Sequence, residues 1–195
     1  MRVLVLGYGN PARRDDGLGP RAAAALEQLK LPDVTVDADY QLTVEDADAC
    51  ARHDVVVFID AAVDGPEPFV FRRIEPGPVV MFSSHSATPE GVLKLTEELF
   101  HEEPEAYVLG IRGYEFNEFD ENLSERAAAN LAAALAFITP VLRARDFARH
   151  AAPAAPPAGM AAACAPRRPT GCCNAPEPGR PECPRPNRPS KGETR

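Results

Sequence analysis

The stretch Val3-Leu4-Val5-Leu6-Gly7-Tyr8-Gly9-Asn10-Pro11-Ala12-Arg13-Arg14-Asp15-Asp16-Gly17-Leu18-Gly19-Pro20 does most to narrow what this chain can fold into. Its four leading aliphatic residues, two of them β-branched, read as a buried strand. Gly7 and Gly9 then turn the chain towards an alanine-rich helix, which makes the first βα unit of an α/β domain. Gly7-Tyr8-Gly9-Asn10-Pro11-Ala12 formally matches a dinucleotide-binding fingerprint, with Asp37 or Asp39 as the ribose-binding acid. Against that match, Asp15 and Asp16 stand where a phosphate-binding turn needs bare N–H groups and no negative charge. The loop suits a cation better than a phosphate.

Downstream, the elements alternate. Ala22, Ala25, Leu26 and Leu29 form one helical stripe in a helix ending near Lys30, with Pro20 in its first turn. Val34-Thr35-Val36 starts a second strand, and Thr43 to Cys50 a short helix, Thr43 as N-cap and Asp46 three residues on. Val55 to Ile59 is a continuous apolar run of the kind found in a central, doubly covered parallel strand, stopping at Asp60. Phe69 to Ile74 is a further strand, followed by a short extended piece from Val79 to Phe82. Thr88-Pro89-Glu90 opens a helix presenting Val92, Leu95 and Leu99. Glu105 to Ile111 reads as a strand, 113–121 as an acidic, aromatic loop, and a long helix from Leu123 is expected to kink or end at Pro140. The expected fold is a three-layer α/β/α domain with a mostly parallel central sheet of about five strands.

The domain is expected to occupy residues 1–148. From Ala151 onward there are 11 prolines in 45 residues and almost no large apolar side chain, so residues 149–195 are expected to form a disordered tail. The net charge of −8 divides unevenly, +4 on residues 151–195 and −12 on the rest. An acidic body argues against nucleic acid as a partner, because phosphate contacts require clustered Lys and Arg. No run approaches the roughly 20 consecutive apolar residues of a membrane span, and no signal-peptide layout opens the chain, so a cytoplasmic monomer without a membrane partner is expected. Cys50 in the body is expected to be packing. Cys164, Cys172, Cys173 and Cys183 lack the paired spacing of a zinc site.

Asp16, Asp60 and His85 are the candidate chemistry. In open parallel sheets, functional groups gather beyond the carboxyl ends of the strands, and Asp16 and Asp60 both follow such ends. Two carboxylates and an imidazole suit Ni, Zn, Mn or Fe better than Ca or Mg. The plainer readings are a helix cap for Asp16, a turn former for Asp60 and a solvated loop residue for His85. A serine hydrolase built on Ser83 or Ser84 lacks the G-x-S-x-G elbow. His53, His101 and His150 carry no role.

Gly7-Tyr8-Gly9-Asn10, Asp15-Asp16-Gly17-Leu18-Gly19, Phe58-Ile59-Asp60-Ala61 and Ser84-His85 before a Thr-Pro-Glu helix start occur in an order and spacing that resemble the nickel–iron hydrogenase maturation endopeptidases, over about residues 1–145. The resemblance implies a single α/β/α domain that removes the C-terminal extension of a hydrogenase large-subunit precursor once nickel is in place. It implies that Asp16, Asp60 and His85 bind that nickel and are the catalytic set. The ion is carried by the precursor, whose thiolates would share it with the enzyme. Tyr40-Gln41-Leu42-Thr43 and the loop 113–121 would face the precursor. Other readings of the same residues are a non-enzymatic nickel-recognising chaperone or scaffold, and a dinucleotide-binding module. The Pro- and Cys-containing tail lies outside the resemblance.

Overall fold

A computed structural model describes residues 1–78 and 87–152. The extended piece expected at Val79–Phe82, His85 and the tail from residue 153 lie outside the described residues. Five strands, β1 (Val3–Tyr8), β2 (Val34–Asp39), β3 (Val55–Ala62), β4 (Phe69–Ile74) and β5 (Glu105–Arg112), form one sheet in the order β2-β1-β3-β5-β4. β2, β1, β3 and β5 are parallel, and β4 alone runs antiparallel, against β5. The expected three-layer, mostly parallel sheet is what forms.

Helices cover both faces. α1 (Leu18–Glu27), α4 (Glu125–Ala144) and α5 (Phe147–His150) bury Leu18, Leu26, Ile138, Leu142 and Phe147 with Val3, Val5, Val57 and Ile59. On the other face α2 (Asp46–Ala51) and α3 (Pro89–Phe100) bury Cys50, Val92 and Leu93 with Leu4, Leu6, Val56 and Phe58. Alternate residues of β1 and β3 therefore feed opposite cores, and every residue of both strands up to Leu6 and Ile59 is buried. Cys50 is packing as expected, and burial pushes its thiol up to about 12.

Several local expectations need correcting. α1 stops at Glu27, and Leu29 is 42% exposed; the helix buries Leu18, Ala22, Ala23 and Leu26. Leu99 is 63% exposed, and α3 turns Val92, Leu93 and Thr96 inward instead. Strand β3 runs on through Asp60 to Ala62 because β5 supplies partners for Asp60, Ala61 and Ala62. Pro140 does not end α4: it lies on the exposed side, where water can hydrate the carbonyl it leaves unbonded, while Ile138, Val141 and Leu142 hold the helix to the core. α4 is long and apolar enough to cross a membrane by composition alone, yet this stripe is buried against the domain. Main-chain pairing also extends to Ala152, which donates to Phe71 O and accepts from Arg73 N–H, lengthening the sheet edge beside β4.

Gly19 sets how closely α1 approaches the sheet. A Cβ there would stand 2.2 Å from Tyr8 O and 2.5 Å from Ile59 O, both main-chain atoms of strands that cannot move aside. Gly19→Ala should therefore lower stability by about 3 kcal/mol, the upper range for overpacking, read as a lower urea midpoint. A wild-type midpoint would show that α1 can lift off the sheet without penalty.

Candidate functional site

From β1 the chain crosses to β2 on one side and returns to β3 on the other, so the sheet has its topological switch point between the carboxyl ends of β1 and β3. Open α/β sheets form their crevices there. Asp16 lies in the loop that leaves β1, and Asp60 near the end of β3.

The β1 loop is closed by its own side chains. Asp16 sits in a single 3-10 turn, Arg14–Gly17, and its Oδ2 accepts the Asn10 N–H at 3.0 Å. Asn10 Oδ1 accepts from Ala12 N–H at 3.0 Å, and Asn10 O from Arg13 N–H. Gly9, at φ 134°, makes the turn, and a Cβ there would meet Asp16 O at 2.1 Å. The N–H groups of Gly9, Asn10, Ala12, Arg13, Arg14, Asp15 and Asp16 are all donated within the protein. That leaves this turn without the cradle a pyrophosphate requires, which removes the dinucleotide reading.

Asp60 is reached through the pleat. Leu6 pairs with Phe58 and Gly7 with Ile59, so the next residues along, Tyr8 and Asp60, fall side by side on the α2–α3 face. The Tyr8 hydroxyl supports the Asp60 carboxylate as a donor, and Asp60 Oδ1 accepts the Ala61 N–H at 2.7 Å. Burial raises the Asp60 carboxyl to about 6, these two hydrogen bonds pull against it, and the nearby Asp16 charge raises it further. Tyr8 is in turn raised well above its ordinary value, by burial first and then by Asp60. Arg72 and Glu90, paired at 3.3 Å, also act on Tyr8, in opposite directions. A buried carboxylate that a second carboxylate's charge makes harder to ionise belongs to a donor set that a cation would relieve.

The acid next to Asp16 plays a different part. Asp15, which sequence reasoning left without a role, is fully buried and points away to the 113–124 segment. Its carboxylate accepts from Tyr114 N–H (2.8 Å), Glu115 N–H (2.9 Å), Ser124 N–H (2.7 Å) and Ser124 Oγ (2.7 Å). Ser124 Oγ simultaneously accepts Ala127 N–H and so caps α4. Burial works to raise the Asp15 carboxyl, but the hydrogen bonds outweigh it and the net displacement is downward.

Of the three sequence-predicted residues, Asp16 and Asp60 lie on one rim of the sheet, near enough for the Asp16 charge to act on Asp60, and His85 lies outside the described residues. Among the described residues no three His, Cys, Asp or Glu side chains converge in a metal-holding group. The described chain resumes at Ala87, two residues after His85 in sequence; its N–H donates to Leu42 O, and it packs in the cluster that contains Tyr8. A groove lined by Gly9, Pro11, Pro20, Ala38, Asp39 and Tyr40 runs beside the β1 loop. Tyr8 is the residue sequence reasoning missed. The signal was available: Leu6 and Tyr8, like Phe58 and Asp60, are two apart on strands whose apolar runs align.

No family model and no curated protein matches the chain. Its fold does match solved structures. The [NiFe] hydrogenase maturation protease HycI from Thermococcus kodakarensis KOD1 superposes with a TM-score of 0.58 at 24% identity, over 73% of this chain and 92% of that one. The hydrogenase maturating endopeptidase HybD from E. coli gives 0.59 at 24% identity, over 75% and 94%. A hydrogenase 2 maturation peptidase from Thaumarchaeota archaeon SCGC_AB-539-E09 gives 0.55 at 24%, over 73% and 98%. At these identities the likeness establishes a shared fold.

Proposed function

We propose that this chain is an endopeptidase that removes the C-terminal extension of a hydrogenase large-subunit precursor after nickel has been inserted. The observation that supports this reading is that Asp16 and Asp60 share the rim at the switch point of a fold also seen in proteins named hydrogenase maturation proteases, with the Asp16 charge acting on Asp60. Topology alone would bring a crevice there; the paired carboxylates, each held by main-chain N–H groups, give it a cation-seeking character.

Nickel in this reading is cargo of the precursor. Asp16, Asp60 and His85 would complete its coordination, so that the chain engages a precursor only when the ion is present. A bound divalent ion supplies Lewis acidity towards a peptide carbonyl. The protein's own contribution is positional: the Asn10–Asp16 hydrogen bond fixes one carboxylate, the Tyr8–Asp60 pair fixes the other, and the acidic rim excludes anionic competitors. The setting proposed is the cytoplasm, with the chain acting as a monomer.

Purified full-length protein incubated with nickel-loaded precursor should shorten it by the mass of its C-terminal extension, read by intact-mass spectrometry, and should leave nickel-free precursor whole. Asp16→Asn and His85→Ala should each reduce processing by at least about 100-fold, the usual scale for removing a group that acts in the transition state. No cleavage of loaded precursor by folded protein would replace the peptidase with the nickel-recognising scaffold. Equal cleavage of both precursor forms would remove nickel from recognition.

A further inference from the structure

Phe119 is 86% exposed, the most open large apolar side chain among the described residues. A ring left in water forgoes the favourable burial of a large apolar surface, so its surroundings indicate what would cover it. Phe119 lies in the segment 113–122, which carries Glu115, Glu118, Asp120 and Glu121 and no Lys or Arg.

The segment is held from both sides of the ring. Asp15 gathers Tyr114, Glu115 and Ser124, Asp15 N–H donates to Glu115 O at 3.0 Å, Arg14 N–H to Asp120 O at 2.8 Å, and Asp120 N–H to Ala12 O at 3.0 Å. The Arg14 guanidinium binds Glu115, Glu118 and Asp120, one cation for three carboxylates, which leaves the loop negative. Phe119 is thus tied to Ala12–Asp15, the residues that lead directly into Asp16. It is an anchor ordered before any partner arrives, and such preorganisation converts contact area into affinity efficiently.

Two further exposed apolar side chains stand on the same rim, Tyr40 (64%) after β2 and Val63 (68%) after β3, whereas Leu99 and Phe100 lie beyond the far end of the sheet. An acidic rim repels nucleic acid and anionic lipid surfaces, which leaves a protein surface of opposite charge. We infer that Phe119, on its braced acidic loop, anchors a folded protein surface that offers an apolar pocket rimmed by Lys and Arg. Resting on the processing reading, that surface belongs to the nickel-loaded precursor, and Phe119 fixes how the precursor presents its extension to Asp16 and Asp60.

The test is steady-state processing of nickel-loaded large-subunit precursor from the same source organism, with binding followed in parallel by titration of the labelled precursor. Phe119→Ala should raise KM and Kd about tenfold, as for truncation of an aromatic hot spot, and leave kcat within about twofold. Phe119→Trp should restore both, Glu118→Lys with Glu121→Lys should weaken binding and flatten its salt dependence, and Leu99→Ala should change nothing. Unchanged KM and Kd in Phe119→Ala would overturn the inference while the processing reading stands. Wild-type protein that binds without cleaving would sink the processing reading instead, and the Phe119→Ala Kd would still decide the docking role. Absence of binding overturns both.

Discussion

Asp60→Asn should abolish processing and at the same time raise the melting temperature. The wild-type carboxyl is held near 6 by burial and by the Asp16 charge. A group whose folded pKa is raised stabilises the fold fully below its unfolded value, near 4, and loses that contribution as pH climbs through about 6. At pH 8 the ionised, half-buried Asp60 therefore weighs against folding by on the order of 2 kcal/mol. Asparagine keeps an acceptor for Ala61 N–H and Tyr8 and carries no charge, so the variant should gain about 4–8 °C at pH 8 and nothing at pH 4. Loss of activity with gain of stability is the expected signature of a site whose like charges are retained for function. Calorimetry at the two pH values, beside the processing assay, checks it. A variant that is both inactive and less stable at pH 8 would mark Asp60 as a structural residue.

What could be read in the sequence was whatever depends on local periodicity or on topology. The apolar runs Val3–Leu6 and Val55–Ile59 announce buried parallel strands, Thr88-Pro89 announces a helix start whose Oγ1 does accept Gly91 N–H, and strand order then forces the β1 loop and the end of β3 onto one rim. That Asp16 and Asp60 share this rim follows from topology without knowledge of any contact. Choices among equivalent apolar residues are another matter. Leu29 and Leu99 fit helical stripes as well as Ala23 and Leu93 do, and only the packing of α1 and α3 on the sheet selects the latter pair. The Asp15–Ser124 hydrogen bonds join residues 109 positions apart, and no pattern in a single chain encodes such a partner. Tyr8 lies between: it was named within the loop motif, but its neighbour depends on a register that the aligned runs already contained.

Asp15→Asn should be the most destabilising conservative change in the domain, with an expected loss of about 4 kcal/mol. Asn is isosteric, yet one of its two terminal atoms becomes an NH2 group that cannot accept. Asp15 Oδ2 takes hydrogens from Tyr114 N–H, Glu115 N–H and Ser124 Oγ, and Oδ1 takes one from Ser124 N–H, so either amide orientation sets a donor against buried donors. Each orphaned buried donor costs about 1–3 kcal/mol, and the lost bonds were to a charged acceptor. Linkage gives a second readout. Because the Asp15 carboxyl is displaced downward in the fold, its stabilisation is present above its unfolded value near 4 and disappears as pH falls through the lower folded value. Wild-type stability should therefore decline steeply below about pH 4, whereas the variant, already without that contribution, should show a shallower acid limb. Urea titrations at pH 7 and pH 3 measure both effects. Hydrogen exchange adds where the damage lies, since the Tyr114, Glu115 and Ser124 amides should lose protection before the β1 and β3 amides do. The same loosening would free the loop that carries Phe119, so processing by the residual folded protein should show a raised KM at temperatures where Asp16 and Asp60 are still in place. Equal stability of the two proteins at pH 7 would mean that the 113–124 segment is held chiefly by Arg14, and a double variant lacking both residues would then have to account for the loss.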